Sequence, residues 1–244
     1  GVKTFGNMAS LKDLNEAKGS MKELLALSGF YNDDYRVYFP DHLIANGHVK
    51  LMELLCHTDF DFNQCIHHPL IVACNEGSTE IVNLLVRSSK ESGIDLNARN
   101  YGMTGFMWAC INGRTEVVKL MINSSKEFGI DLNARTYGET GFMFACGEGQ
   151  TEIVKLMINS SKEFGIDLNA RNDYGKTGFM FACIHGDTEI VKLMINSSKE
   201  FGIDLNARNV NGETGFMIAR RYGRTEIVTL MVNASKEFDI NIDA

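Results

Sequence analysis

The stretch Thr151–Arg171, TEIVKLMINSSKEFGIDLNAR, decides the fold of this 244-residue chain. It returns unchanged at Thr188–Arg208, and again at Thr115–Arg135 with Val117 in place of isoleucine. Looser copies occupy Thr79–Arg99 and Thr225–Asp243. A chain that repeats a segment this closely is a stack of units, each burying its apolar face against the next, so its length counts units rather than domains. Cys74, Cys110, Cys146 and Cys183 mark one position in successive units, at spacings of 36, 36 and 37 residues, and Arg220 follows after another 37. The extra residue falls in a turn, where Ala98-Arg99-Asn100-Tyr101-Gly102 becomes Ala170-Arg171-Asn172-Asp173-Tyr174-Gly175. A loop tip is where an insertion costs least.

Each unit reads as two helices and a hairpin. Thr104 is placed as an N-cap, and Phe106, Ala109, Cys110 and Gly113 follow at the i, i+3, i+4, i+7 spacing of one helical face. The glycine stops this short helix. Thr115 is expected to cap a second helix, with Glu116 in its first turn and Val117, Val118, Leu120 and Met121 as its apolar stripe. Gly129 ends it, Ile130–Arg135 is extended, and Tyr137-Gly138 turns the chain into the next unit.

The pattern G-x-T-G-F-M-x-A-C-x-x-G-x-T-E-I-V-K-L-M resembles the ankyrin repeat, as does the D-L-N-A-R segment after it. His68-Pro69-Leu70-Ile71-Val72-Ala73-Cys74 is the nearest match to the family's T-P-L-H-x-A. The resemblance covers about residues 39–244 and implies an all-α solenoid of stacked helix-turn-helix units joined by short β-hairpin loops. Its boundaries are expected at 39–65 (degenerate), 66–100, 101–136, 137–172, 173–209 and 210–244, behind a helical cap or eroded unit at 1–38. Three departures stand out. The second helix gains about one turn. Gly105, Gly141, Gly178 and Gly215 replace the family's proline, losing a rigid first helical position. Met107, Met143, Met180 and Met217 replace its histidine, so apolar packing is expected in place of that side chain's hydrogen bonds.

A net charge of −7 argues against a general binder of nucleic acid or anionic membrane. No apolar run reaches bilayer-spanning length, and GVKTFGNMAS has no signal-peptide core, which points to a cytoplasmic or nuclear, non-secreted stack, expected to be monomeric. The repeated cysteines read as small buried residues, because stacked elements sit about 8–10 Å apart and a disulfide needs Cα atoms within about 7 Å. No nucleophile, phosphate-loop or metalloprotease motif is present, so neither catalysis nor a cofactor is expected. Cys56-His57, Cys65 and His67-His68 are metal-ligand types, but their spacing matches no closed structural zinc site. The register also gives His68 the place that threonine holds elsewhere.

The positions that vary between units are where recognition of a partner is expected. After the turn glycine come Met103, Glu139, Lys176 and Glu213. Along the first helix come Trp108, Phe144 and Phe181, then Ile111-Asn112, Glu148, Ile184-His185 and Arg221-Tyr222. The hairpin tips carry Tyr101, Tyr137 and Tyr174. In the ankyrin family such positions line a concave groove, so an unidentified protein partner is implied. The alternative for each tyrosine is a ring laid on the neighbouring hairpin as a brace. Asn97, Asn133, Asn169 and Asn206 resemble asparagines that are hydroxylated in ankyrin proteins; the plainer expectation is a hydrogen bond to the turn backbone. Two other readings are a recognition region of a larger enzyme or adaptor, and a scaffold without a specific partner.

Overall fold

The computed structural model describes residues 40–242 except 42, 46, 58, 59 and 66, so the expected segment at 1–38 lies outside the described residues. The fold is all-α, with paired helices in series. In order these are α1 (Val49–Cys56), a 3-10 turn (Phe62–Gln64), α2 (Pro69–Glu76), α3 (Thr79–Ser92), α4 (Gly105–Ile111) and α5 (Thr115–Phe128). There follow α6 (Gly141–Gly147), α7 (Thr151–Phe164), α8 (Gly178–His185), α9 (Thr188–Phe201), α10 (Gly215–Arg221) and α11 (Thr225–Phe238). One two-stranded ribbon pairs β1 (Arg99–Asn100) with β2 (Met103–Thr104), antiparallel. The described residues fall into two compact units, one running up to Gly105 and including Glu127–Ile130, the other made of Phe106–Lys126 and everything from Asp131 on.

The second unit shows how sequence becomes layer. Short helices pack on short helices, α6 on α8 and α8 on α10, while long helices pack on long ones, α7 on α9 and α9 on α11. The buried stripe of α7 is Ile153, Val154, Met157, Ile158 and Ser161, and α6 contributes Phe142, Met143, Ala145 and Cys146. The stripe differs from its expected form at one place. Leu120 is only half-buried, and Ile122 takes the core position beside Met121. Among the described cysteines, Cys56, Cys74, Cys110, Cys146 and Cys183 are buried and form no disulfide. Burial pushes the Cys56 thiol up to about 11, so it is a poor source of thiolate.

The short helices begin as the sequence implies. The Thr140, Thr177 and Thr214 hydroxyls each accept from the backbone N–H three residues on, at 3.4 Å. Methionine does more than fill space at one of these starts: the Thr214 N–H donates to Met217 Sδ at 3.3 Å, so the thioether accepts a bond where apolar packing alone was expected. The long helices correct a second expectation. Their threonines are the first helical residue; Ser78, Gln150, Asp187 and Arg224 occupy the N-cap and make no side-chain cap bond. Gln150 and Arg224 turn back instead. Gln150 Nε2 donates to Ile111 O at 3.0 Å, and Arg224 Nε and Nη2 donate to Ile184 O at 3.0 and 2.8 Å. Each thereby satisfies an orphan carbonyl at the end of the short helix of the preceding repeat.

The glycine that replaces proline has a packing cause. A Cβ on Gly178 would sit 2.8 Å from Phe142 Cε1, and one on Gly215 would sit 2.7 Å from Phe179 Cε1. The phenylalanine of one unit lies against the bare backbone of the next. In the first unit, where Pro69 is kept, the neighbouring apolar residue is Leu70.

The asparagines tie unit to unit. Asn133 Nδ2 donates to Gly165 O at 2.7 Å, and its Oδ1 accepts the Asp167 N–H at 2.9 Å. Asn169 does the same with Gly202 O and Asp204 N–H, and Asn206 with Asp239 O and Asn241 N–H. In the first unit Asn63 bridges to Gly93 O and Asp95 N–H, and Asn97 donates to Gly129 O. The expected bond to turn backbone is therefore made to the loop of the following repeat, twice over for Asn63, Asn133, Asn169 and Asn206. The local turn is held by the aspartate: Asp131 Oδ1 accepts the Asn133 N–H at 3.0 Å. On the long helices Lys126 lies 4.9 Å over the Phe164 ring, and Lys162 4.9 Å over Phe201.

Two outcomes follow from these contacts. Gly178→Ala should destabilise the protein by about 1–3 kcal/mol in urea unfolding, although alanine is the better helix former, because the methyl meets a buried ring. Asn169→Ala removes a donor and an acceptor together and should cost about 1–3 kcal/mol in the same measurement.

Candidate partner-binding surface

The hairpin tips come in two forms. In the shorter, Tyr101-Gly102 and Tyr137-Gly138 are two-residue turns with both residues at positive φ, 51° and 79° in the first and 50° and 76° in the second. They are closed by Asn100 pairing with Met103 and by Thr136 pairing with Glu139. Such mirror-image turns match the twist of a hairpin and favour Asn-Gly, since a left-handed tyrosine costs about 1–2 kcal/mol. In the longer form Asn172 closes a wider loop, its N–H donating to Lys176 O at 3.0 Å and its Oδ1 accepting from the Tyr174 and Lys176 N–H groups. The inserted residue relieves Tyr174 of positive φ.

The tyrosine rings stand in solvent. Tyr101 is 81% exposed, Tyr137 85% and Tyr174 66%, so they do not lie flat as braces. Backbone contacts help join successive tips. Val210 N–H donates to Tyr174 O at 3.0 Å, and the Gly138 backbone approaches Asp173 N so closely that a Cβ there would lie 2.5 Å from it.

Along the short helices Trp108, Phe144, Phe181, Ile111 and Ile184 are half-buried, while Asn112, Glu148, His185, Arg221 and Tyr222 are exposed. Ile218, at the same place in α10 as these aromatics, is 0% exposed and belongs to the core. Met103, Glu139, Lys176 and Glu213 are half-buried. Several of these side chains serve the stack itself. Asn172 Nδ2 donates to Glu139 Oε1 at 3.1 Å, and Asn112 Nδ2 donates to Trp108 O at 2.9 Å. Glu213 is paired with Arg221, Nε to Oε1 at 3.0 Å, and Arg221 lies over the Tyr222 ring. Lys176 Nζ sits 5.9 Å from the centres of both the Tyr174 and Phe181 rings. Of the arginines near the last short helix, Arg224 bonds the end of α8, exposed Arg221 is paired, and exposed Arg220 reaches over Phe216.

Two surface features escape the sequence reading. Val210 is an exposed apolar residue at the last tip, where the earlier tips carry tyrosine. Its signal was a β-branched residue inside a turn. The hairpin arginines Arg135, Arg171 and Arg208 are exposed but tied down, Arg135 to Arg171 O, Arg171 to Arg208 O and Arg208 to Gly212 O. Among the described residues no group of three or more histidine, cysteine or acidic side chains is arranged to hold a metal ion. The chain matches the family model for ankyrin repeats, in three copies, over residues 41–136 and 142–244.

It belongs to the ankyrin-repeat family. A search of the curated proteins finds no match. Ankyrin repeats are generally protein–protein interaction modules and are typically non-catalytic. No helix among the described residues is long and apolar enough to cross a membrane. Within this ankyrin array the tip strain is open to measurement. Tyr137→Asn should raise stability by about 1 kcal/mol, read as a higher urea midpoint at unchanged slope, because asparagine tolerates the left-handed turn.

Proposed function

We propose that this ankyrin array recognises a partner protein through its hairpin tips and the adjoining face of its short helices. In the second unit the contact residues are Tyr137 and Tyr174 at the tips, Lys176 behind them, and Phe144, Phe181 and His185 on the helices. Tyr101 and Met103 offer the same kind of surface on the first unit. Half-buried Trp108, with Ile111 and Asn112, extends the helix face.

One observation carries this reading. Tyr101 and Tyr137 are held in a strained backbone conformation and yet point their rings into water. Folding gains little from a ring that is 85% exposed, and a turn of this type would be more stable with asparagine. A large, stiff, amphipathic side chain in that place is well suited to intermolecular contact, where tyrosine brings area at low conformational cost. The mechanism is rigid display. Hairpins already fixed by the asparagine and aspartate bonds lose little freedom on binding.

The test is a displayed peptide library selected on the full chain, followed by affinity measurement of the enriched peptides. Replacing Tyr137 and Tyr174 together with alanine should weaken binding by at least about tenfold, or about 1.4 kcal/mol, with the urea midpoint retained. Unchanged affinity would remove the tips from the binding surface.

A further inference from the structure

His68 holds the place that threonine holds in the four later units. Thr140, Thr177 and Thr214 cap a short helix through an uncharged hydroxyl; His68 starts α2 with no side-chain cap bond. Its ring is instead tied to the first asparagine rung. His68 Nε2 lies 3.2 Å from Asn63 Oδ1. That oxygen also accepts the Asp95 N–H at 3.0 Å, while Asn63 Nδ2 donates to Gly93 O at 2.8 Å, so the orientation of the amide is fixed. The histidine must then carry its proton on Nε2. Its Nδ1 is left as a bare lone pair, buried and without a hydrogen bond. The whole residue is 6% exposed.

We propose that His68 is an acid-sensitive latch: a proton on its buried Nδ1 drives the charged ring out of its site, taking its bond to Asn63 with it, and loosens the first unit, while the later units hold. A proton on Nδ1 would place a charge and a new donor where no acceptor faces it, a costly arrangement in a packed interior. The charged groups around the ring do not offset this. Asp95, in the loop after α3, acts at a distance and favours the charged form, but its influence is outweighed by burial, which holds the imidazole below the ordinary histidine range. Asp61, in the loop ahead of the 3-10 turn, is engaged by the Asn63 N–H and Gln64 Nε2. His67 turns to Asp41, Nδ1 to Oδ2 at 2.8 Å, and Asp41 is raised by burial, with His67 pulling it down. Cys65, raised to about 12 by burial, stays a neutral thiol throughout.

The sign is fixed by linkage. The folded state of His68 binds its proton less readily than the unfolded chain does. Its contribution is therefore fully present above the ordinary value of about 6.5 and is lost as pH falls below it. Burial raises the Asp41 carboxyl, so protonating it would stabilise the fold, the opposite direction.

Hydrogen exchange on the full chain, corrected for intrinsic rates, tests the latch. Protection over residues 60–98 should fall by up to about tenfold between pH 7.5 and 5.5, with residues 137–240 unchanged. His68→Thr, which copies the later units, should abolish that difference; His67→Gln should retain it. Equal pH sensitivity in both regions would overturn the proposal, as would a response that survives in His68→Thr or vanishes in His67→Gln. If His68→Thr does not fold, NMR titration of the His68 ring in the unaltered protein decides. A midpoint well below about 6.5 supports the latch, and one at or above that value overturns it.

Discussion

The structure depends on one constraint: the loop that follows each long helix exposes backbone groups for which no strand is available. A helix ends at Gly165 or Gly202 with a free carbonyl, and two residues on, Asp167 or Asp204 presents a free N–H. One asparagine from the preceding unit satisfies both, since its amide offers a donor and an acceptor side by side. The aspartate two residues before that asparagine holds it in position by accepting its N–H. Asp-x-Asn is therefore a joint, and this accounts for its return in unit after unit. The joint also tolerates the insertion. Asn133 reaches a glycine 32 residues on and Asn169 one 33 residues on, each at 2.7 Å, because the extra residue bulges at the tip.

Packing beneath the joint follows a paired substitution. The later units have glycine and phenylalanine where the ankyrin pattern has proline and leucine, and the first has Pro69 and Leu70. A phenylalanine needs the room that a missing Cβ leaves in the next unit, as at Gly141, Gly178 and Gly215, whereas Gly105, which follows Leu70, faces Cys74 Sγ instead. Large aromatic area is buried in exchange for a weaker first turn.

The tips obey a different logic. Burial, hydrogen bonding and torsional preference agree nearly everywhere else in the stack. At Tyr101 and Tyr137 they disagree, for the backbone is strained and the ring is wet. Natural sequences are locally consistent except where another demand intervenes. The wider loop around Tyr174 keeps an exposed ring without the strain, so the residue type persists across two turn geometries.

Much of this was legible in the sequence. Repetition of TEIVKLMINSSKEFGIDLNAR established the stack and its period, and the 3.6-residue spacing of Phe142, Ala145 and Cys146 identified the buried face, because a helix fixes which residues share a side. The variable positions were also legible, since packing holds the rest constant. What the sequence could not show is which partner each polar group chooses. Asn133 reads as a turn residue until the next unit supplies Gly165; Met217 reads as apolar until Thr214 offers it an N–H. Arg224 meets Ile184 O and Ile218 is closed over by its neighbours, contacts that no spacing in the chain announces. Periodicity is a property of a single element and survives in one dimension. Hydrogen-bond pairing across units depends on which atoms come within 3 Å in space, and only the tertiary structure decides that.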